Sequence, residues 1–283
     1  MKDESEENLA LDLSLVSVHM LTCPQRAASC AATLARWDAT DWGRLCGRPR
    51  IHLDDAPETS EAVWGDAQRG ERIVAAFAKM LVDAVRREEE FTAEAQSAQR
   101  GHSLDSSLRP LRLGGDPWIL FLEDDLDFHP RIGAAVASWE GLKGYGMRTL
   151  FNPGLSVLKL RHDAPGADED ARVSRRLVNG AIRVLRRMGR LDGPRQFCAE
   201  PTTFLGAQAL LLRRSFAQAA LDRWPRLNGM QSQRLATLLA DLYPSLPILV
   251  HRPSLVQHLP VEGGSGWGAR VQQALDFDPS WTA

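Results

Sequence analysis

Residues 118–129 read WILFLEDDLDFH, an apolar run that stops abruptly in four carboxylates, Glu123, Asp124, Asp125 and Asp127. Trp118 to Leu122 has the character of a strand buried on both faces, and in open α/β sheets such strands present ligand sites at their carboxyl ends. The acids stand at that end. Strand side chains alternate, so Glu123, Asp125 and Asp127 are expected on one side and Asp124 on the other. Carboxylates massed at a buried edge need a divalent cation or a basic partner. The competing reading is a solvated acidic turn.

Working back from this stretch, LDLSLVSVHM (residues 11–20) reads as a first core strand, and Pro24 suits the opening turn of a helix that continues to about Trp37. Arg26 lies in that turn, placed to meet a base or a phosphate. Ile51 to Leu53 reads as a second strand, and Asp54 directly after it is where nucleotide-binding α/β units hold a ribose or base edge. Residues 70–90 have an amphipathic helical pattern with Ile73, Phe77, Met80, Leu81 and Val85 on one stripe. Residues 96–117 read as a long polar loop.

Forward of it, Pro130 opens a helix through Ile132 and Val136, and short strands follow at 147–151 and 157–160. The segment 173–189 is a basic helix without interleaved aromatic residues, which argues for a solvated face rather than a nucleic-acid platform. A buried strand is expected at 207–212, a helix capped by Ser215 carries Phe216 and Trp224 inward, and a further helix spans 231–242. Strands at 248–250 and 255–256 lead into Gln257 and His258. The Gly-rich run 263–268 lacks the lysine of a phosphate-binding loop and reads as a flap or tail.

The 283 residues carry 34 basic and 36 acidic side chains, so no global field recruits nucleic acid or an anionic membrane. No apolar run approaches the roughly 20 residues needed to span a bilayer. Four cysteines without metal-like spacing fit a reducing cytosol, and a cytoplasmic location is expected. Strands alternating with helices predict one α/β domain over 11–283 behind an acidic, disordered leader at 1–10.

The order of these segments resembles the GT-A-fold glycosyltransferases: an early strand with a Pro-Arg helix start, LEDDLDF at 122–128, FLGAQALLLRR at 204–214, and PSLVQH at 253–258 before a Gly-rich loop. The resemblance implies a mixed, mostly parallel central sheet flanked by helices. A nucleotide-sugar half is implied at 11–128, an acceptor half at 129–262, and a flexible tail at 263–283. It also implies transfer of a sugar from a nucleotide-diphosphate donor, a UDP-sugar by family frequency, to a glycan, peptide or small-molecule acceptor. Asp125, Asp127 and His258 are the implied ligands of a divalent Mn or Mg ion, with Glu123 and Asp124 beside the nucleotide and Gly206 allowing close backbone approach to the sugar.

One departure stands out. Inverting members place an acid near the start of the helix that here begins at 231, where it deprotonates the acceptor. Ser232 occupies that place, with Glu200 and Asp222 as substitute bases. Two other readings therefore stand beside transfer: a nucleotide-sugar-binding protein without catalysis, and a metal-dependent phosphohydrolase using Asp125 and Asp127.

Overall fold

The computed structural model describes residues 11–54, 71–86, 117–139, 146–160, 195–197, 204, 206–244, 248–259 and 270–281, and the helical positions 180 and 184. The expectations for the leader, the 96–117 loop, most of the basic helix, Glu200 and the Gly-rich run lie outside these residues.

In chain order the elements are β1 (Ser17–Thr22), α1 (Ala27–Asp38), α2 (Asp41–Cys46), β2 (Arg50–Leu53), α3 (71–86), β3 (Trp118–Glu123), β4 (Leu126–Phe128) and α4 (Ile132–Ala137). They continue with β5 (Met147–Thr149), β6 (Ser156–Leu160), β7 (Arg195–Phe197), β8 (Ala209–Arg213), α5 (Arg214–Arg223), α6 (Gln231–Leu242), β9 (Ile248–Val250), β10 (Val256–His258) and β11 (Arg270–Ala274). Pro24 opens a short 3-10 turn, Pro24–Arg26, that feeds α1, because its fixed φ suits a first turn and its missing N–H is not needed there. Ser215 falls inside α5 rather than capping it, since the strand runs on to Arg213 and the helix follows at once.

Seven strands form the central sheet in the order β2-β1-β3-β8-β5-β9-β7. β2, β1, β3, β5 and β9 run in one direction; β8 and β7 run against them. The expectation of a mixed, mostly parallel α/β sheet is met at this level. β3 is central and alternates strictly: Trp118, Leu120 and Leu122 enter a core covered by α1, α2 and α4. Ile119 and Phe121 enter a second core beneath α3, α5 and α6. Burial on both faces explains why its sequence is a continuous apolar run.

Two small ribbons complete the structure, β4 with β10 and β6 with β11, both antiparallel. The second corrects the expectation of a free tail from 263 onward. Residues 270–274 pair with β6, and Asp276 accepts hydrogen bonds from Ser254 Oγ (2.6 Å) and Asn152 Nδ2 (2.9 Å). Further on, the Trp281 carbonyl lies 2.8 Å from His129 Nε2. Buried polar groups satisfied in this way fix a segment as firmly as apolar contact does. No helix among the described residues is long and apolar enough to cross a membrane.

His251 is buried edge-on between Trp139 and Trp281, with Nδ1 donating to the Pro253 carbonyl at 2.7 Å. Burial, reinforced by the nearby His129, lowers its pKa from 6.5 to about 4. A histidine whose folded pKa is depressed contributes stability that is complete above pH 6.5 and lost as pH falls toward 4, here up to about 3 kcal/mol. Thermal melts between about pH 7 and pH 4 are therefore expected to fall more steeply for the wild-type protein than for His251→Asn.

Candidate functional site

The turn between β3 and β4 carries the acids, and it is pinned by polar groups on α1. Ser29 Oγ and Thr33 Oγ1, one helical turn apart, both donate to the Asp124 carbonyl, at 2.8 and 2.9 Å. Thr33 Oγ1 also accepts from Leu126 N, and Thr22 Oγ1 donates to the Asp124 carboxylate. Periodicity in the sequence does not single out these three hydroxyls. The available signal was two polar residues four apart on a helix stripe that otherwise points inward.

β10 delivers the distant partner. Its antiparallel register sets His258 opposite Leu126, and Leu259 N donates to the Asp125 carbonyl at 2.8 Å. His258 Nε2 thereby comes 3.0 Å from Asp125 Oδ2 and 3.6 Å from Glu123 Oε2. Two residues 133 positions apart thus meet in one buried cluster. Arg26, at the end of the 3-10 turn before α1, completes it, with Nη2 2.7 Å from Asp124 Oδ1 and 2.5 Å from Asp125 Oδ2.

Strand periodicity predicted Asp127 beside Asp125, and this is corrected. The turn at residues 124–125 breaks the alternation, so Asp124 folds back onto Thr22 and Arg26 while Asp127 leaves the cluster. Asp127 is 42 % exposed, accepts from the Phe128 N–H at 3.0 Å and lies 3.9 Å from Arg36. Glu123 takes its place in the convergent group.

Desolvation lifts the Glu123 pKa to about 7 against the pull of His258, and that of Asp124 to about 6 against Arg26. At Asp125 burial works the same way, but His258 and then Arg26 outweigh it and hold the carboxyl below its ordinary value. Burial also disfavours a charged His258, yet Asp125 and then Glu123 raise it to about 9. The cluster is an anionic Asp125 clasped by two cations.

Glu123, Asp125 and His258 each offer a ligand atom within 4.8 Å of the others, a set that can hold a metal ion. Two carboxylates and one imidazole suit a hard or borderline divalent ion. Asp125 Oδ1 is buried and unpartnered among the described residues, as is His258 Nδ1. His258 faces the acids through Nε2, so the unpartnered Asp125 Oδ1 is the atom that fits an ion or a water the chain does not itself supply.

The remaining candidates separate. Asp54 N donates to the Thr22 carbonyl (2.8 Å) at the end of β1, and its carboxylate is 2.6 Å from Arg72 Nε rather than in the acid cluster. Gly206 is explained by packing: a Cβ there would come 2.6 Å from the fully buried Phe204 ring. The space expected for a sugar is filled by the chain's own side chain. Asp222 is exposed on α5 and accepts from Gln218. Ser232 is buried on the α6 face that carries Leu235, Ala236 and Leu239 into the second core, and the first turn of α6 contains no acid. A base at 232 would point into apolar packing.

No protein-family model matches the chain, and no curated protein matches it in sequence.

Two outcomes follow from this geometry. Arg26→Ala leaves the acids without their nearest cation, and chemical denaturation in chelator is expected to show a loss of about 3 kcal/mol, with a divalent ion restoring part of it. Ser232→Asp forces a carboxylate into a buried site; it is expected to cost a few kcal/mol and to lower Tm without creating catalysis.

Proposed function

We propose that the protein is a glycosyltransferase that takes its sugar from a nucleotide-diphosphate sugar, a UDP-sugar first among the candidates, with a divalent Mn or Mg ion held by Glu123, Asp125 and His258. The observation that carries this reading is the meeting of Asp125 and His258 at the carboxyl end of the central strand, beside an arginine in the opening turn of the first helix. The resemblance of the LEDDLDF and PSLVQH segments supports it from the sequence side.

When bound, the divalent ion supplies Lewis-acid stabilisation of the departing diphosphate. The chain's own groups do the rest. Asp125, kept ionised by its neighbours, is the anchoring carboxylate, and its turn is held rigid by Ser29 and Thr33. Arg26, paired with Asp124 and Asp125, would be a fixed positive charge for a phosphate held at this cluster. In this reading Asp54, at the end of β2 and paired with Arg72, would meet a ribose or base edge.

A second reading, a nucleotide-sugar-binding protein without turnover, is favoured by one observation: the start of α6 carries the buried Ser232 and no acid. Calorimetric titration with UDP in the presence and absence of Mn tests both. Under the transferase reading UDP binding depends on Mn, Asp125→Ala abolishes that dependence, and labelled donor is transferred or hydrolysed. Metal-dependent binding with no turnover on any acceptor selects the second reading. UDP binding indifferent to metal overturns the metal assignment, and metal-dependent release of phosphate from simple esters indicates a phosphohydrolase instead.

A further inference from the structure

The corner where β1, β2 and α3 meet holds another set of ligating atoms, none of them shared with the acid cluster. His19 and His52 project from the same face of the sheet, because the parallel register aligns His19 with Arg50 and Leu21 with His52. Their rings stack at 26° with centroids 5.1 Å apart, and His19 Nδ1 lies 2.8 Å from His52 Nε2. From α3, Asp83 reaches down so that Oδ2 is 4.0 Å from His52 Nδ1. One ligand atom from each of the three lies within 4.8 Å of the other two.

The surroundings suit an ion. His19 is buried, while His52 and Asp83 border a cavity of about 350 Å³ whose wall also includes Arg50, Asp54, Arg72 and Lys79. The cavity supplies an entry path and room for an exogenous ligand. Arg50 Nε, 2.8 Å from Asp83 Oδ2, holds the carboxylate in the way outer partners orient metal-binding acids. A proton shared between the two rings accounts for their contact, and a small separation of the rings replaces that proton with a metal.

We infer that His19, His52 and Asp83 form a second metal site, selective for a zinc-class ion. Two imidazoles and one carboxylate favour Zn or Co over the Mn or Mg expected at the oxygen-rich cluster. Three protein ligands leave a coordination position that opens on the cavity. The ion ties the edge strand β2 and the helix α3 to β1.

The test uses cobalt as a visible probe and the full-length chain in an Asp125→Ala background, which removes the anchoring carboxylate of the other cluster. Cobalt titration of this protein is expected to give a saturable visible absorption band that zinc displaces and manganese does not. Adding His52→Ala abolishes the band. Adding the milder Asp83→Asn weakens cobalt binding by more than the roughly 10- to 100-fold typical of losing an outer partner. Absence of the band from a protein with native far-ultraviolet circular dichroism overturns the inference, as does a band that survives both additional substitutions. Because the background already lacks Asp125, failure of the transferase reading does not produce either result.

Discussion

Everything in the described structure converges on the cost of burying three consecutive acids, Glu123, Asp124 and Asp125, at the end of an apolar strand. An ionised carboxylate removed from water is tolerated only when paired or hydrogen-bonded. Here the partners come from both ends of the chain. Arg26 arrives from the turn before α1, Thr22, Ser29 and Thr33 supply hydroxyls, and His258 arrives on a ribbon formed after residue 250. The ribbon is itself secured by the segment beyond β11, through Asp276 on Asn152 and Ser254 and the Trp281 carbonyl on His129.

Such a cluster is a poor way to stabilise a fold. Desolvation of buried ions commonly cancels their attraction, and an apolar replacement of the same shape is often as stable. The pKa values of Glu123 and His258 are both raised, Glu123 to about 7 by desolvation against the pull of His258, and His258 to about 9 by Asp125 and Glu123 against desolvation, and perturbed titratable groups of this kind cluster at functional sites. The two cores carry the cohesion, one on each face of β3. They leave the acid turn free to be an electrostatic device. The His19, His52 and Asp83 corner obeys the same logic with a different atom set, nitrogen-rich where the acid turn is oxygen-rich.

Legibility in the sequence followed the range of the interaction. The strand at 118–123, the Pro24 turn and the helices at 71–86 and 231–242 were readable because their apolar periods are local. Glu123 and Asp125 were readable as a pair for the same reason. Asp127 was misplaced because period-2 alternation holds only while the strand continues, and hydrogen bonds from α1 turn the backbone at Asp124. Gly206 was read as room for a ligand, whereas the ring of Phe204 two residues earlier already fills that room. Ser232 stands where the resemblance expects an acid, and its burial on the face of Leu235 and Leu239 depends on how α6 lies on the sheet.

Composition and local pattern by themselves determined the α/β alternation, the buried central strand, the massed acids at its tip and a short apolar strand far downstream that leads into Gln257 and His258. Tertiary structure alone decided which acids share a cation, that Arg26 neutralises two of them, and that residues 270–281 close over the ribbon instead of trailing free. The division has a physical cause. Hydrophobic periodicity is written into neighbouring residues, whereas the direction of a charged side chain at a turn is set by hydrogen-bond partners that the chain brings in from a hundred or more residues away.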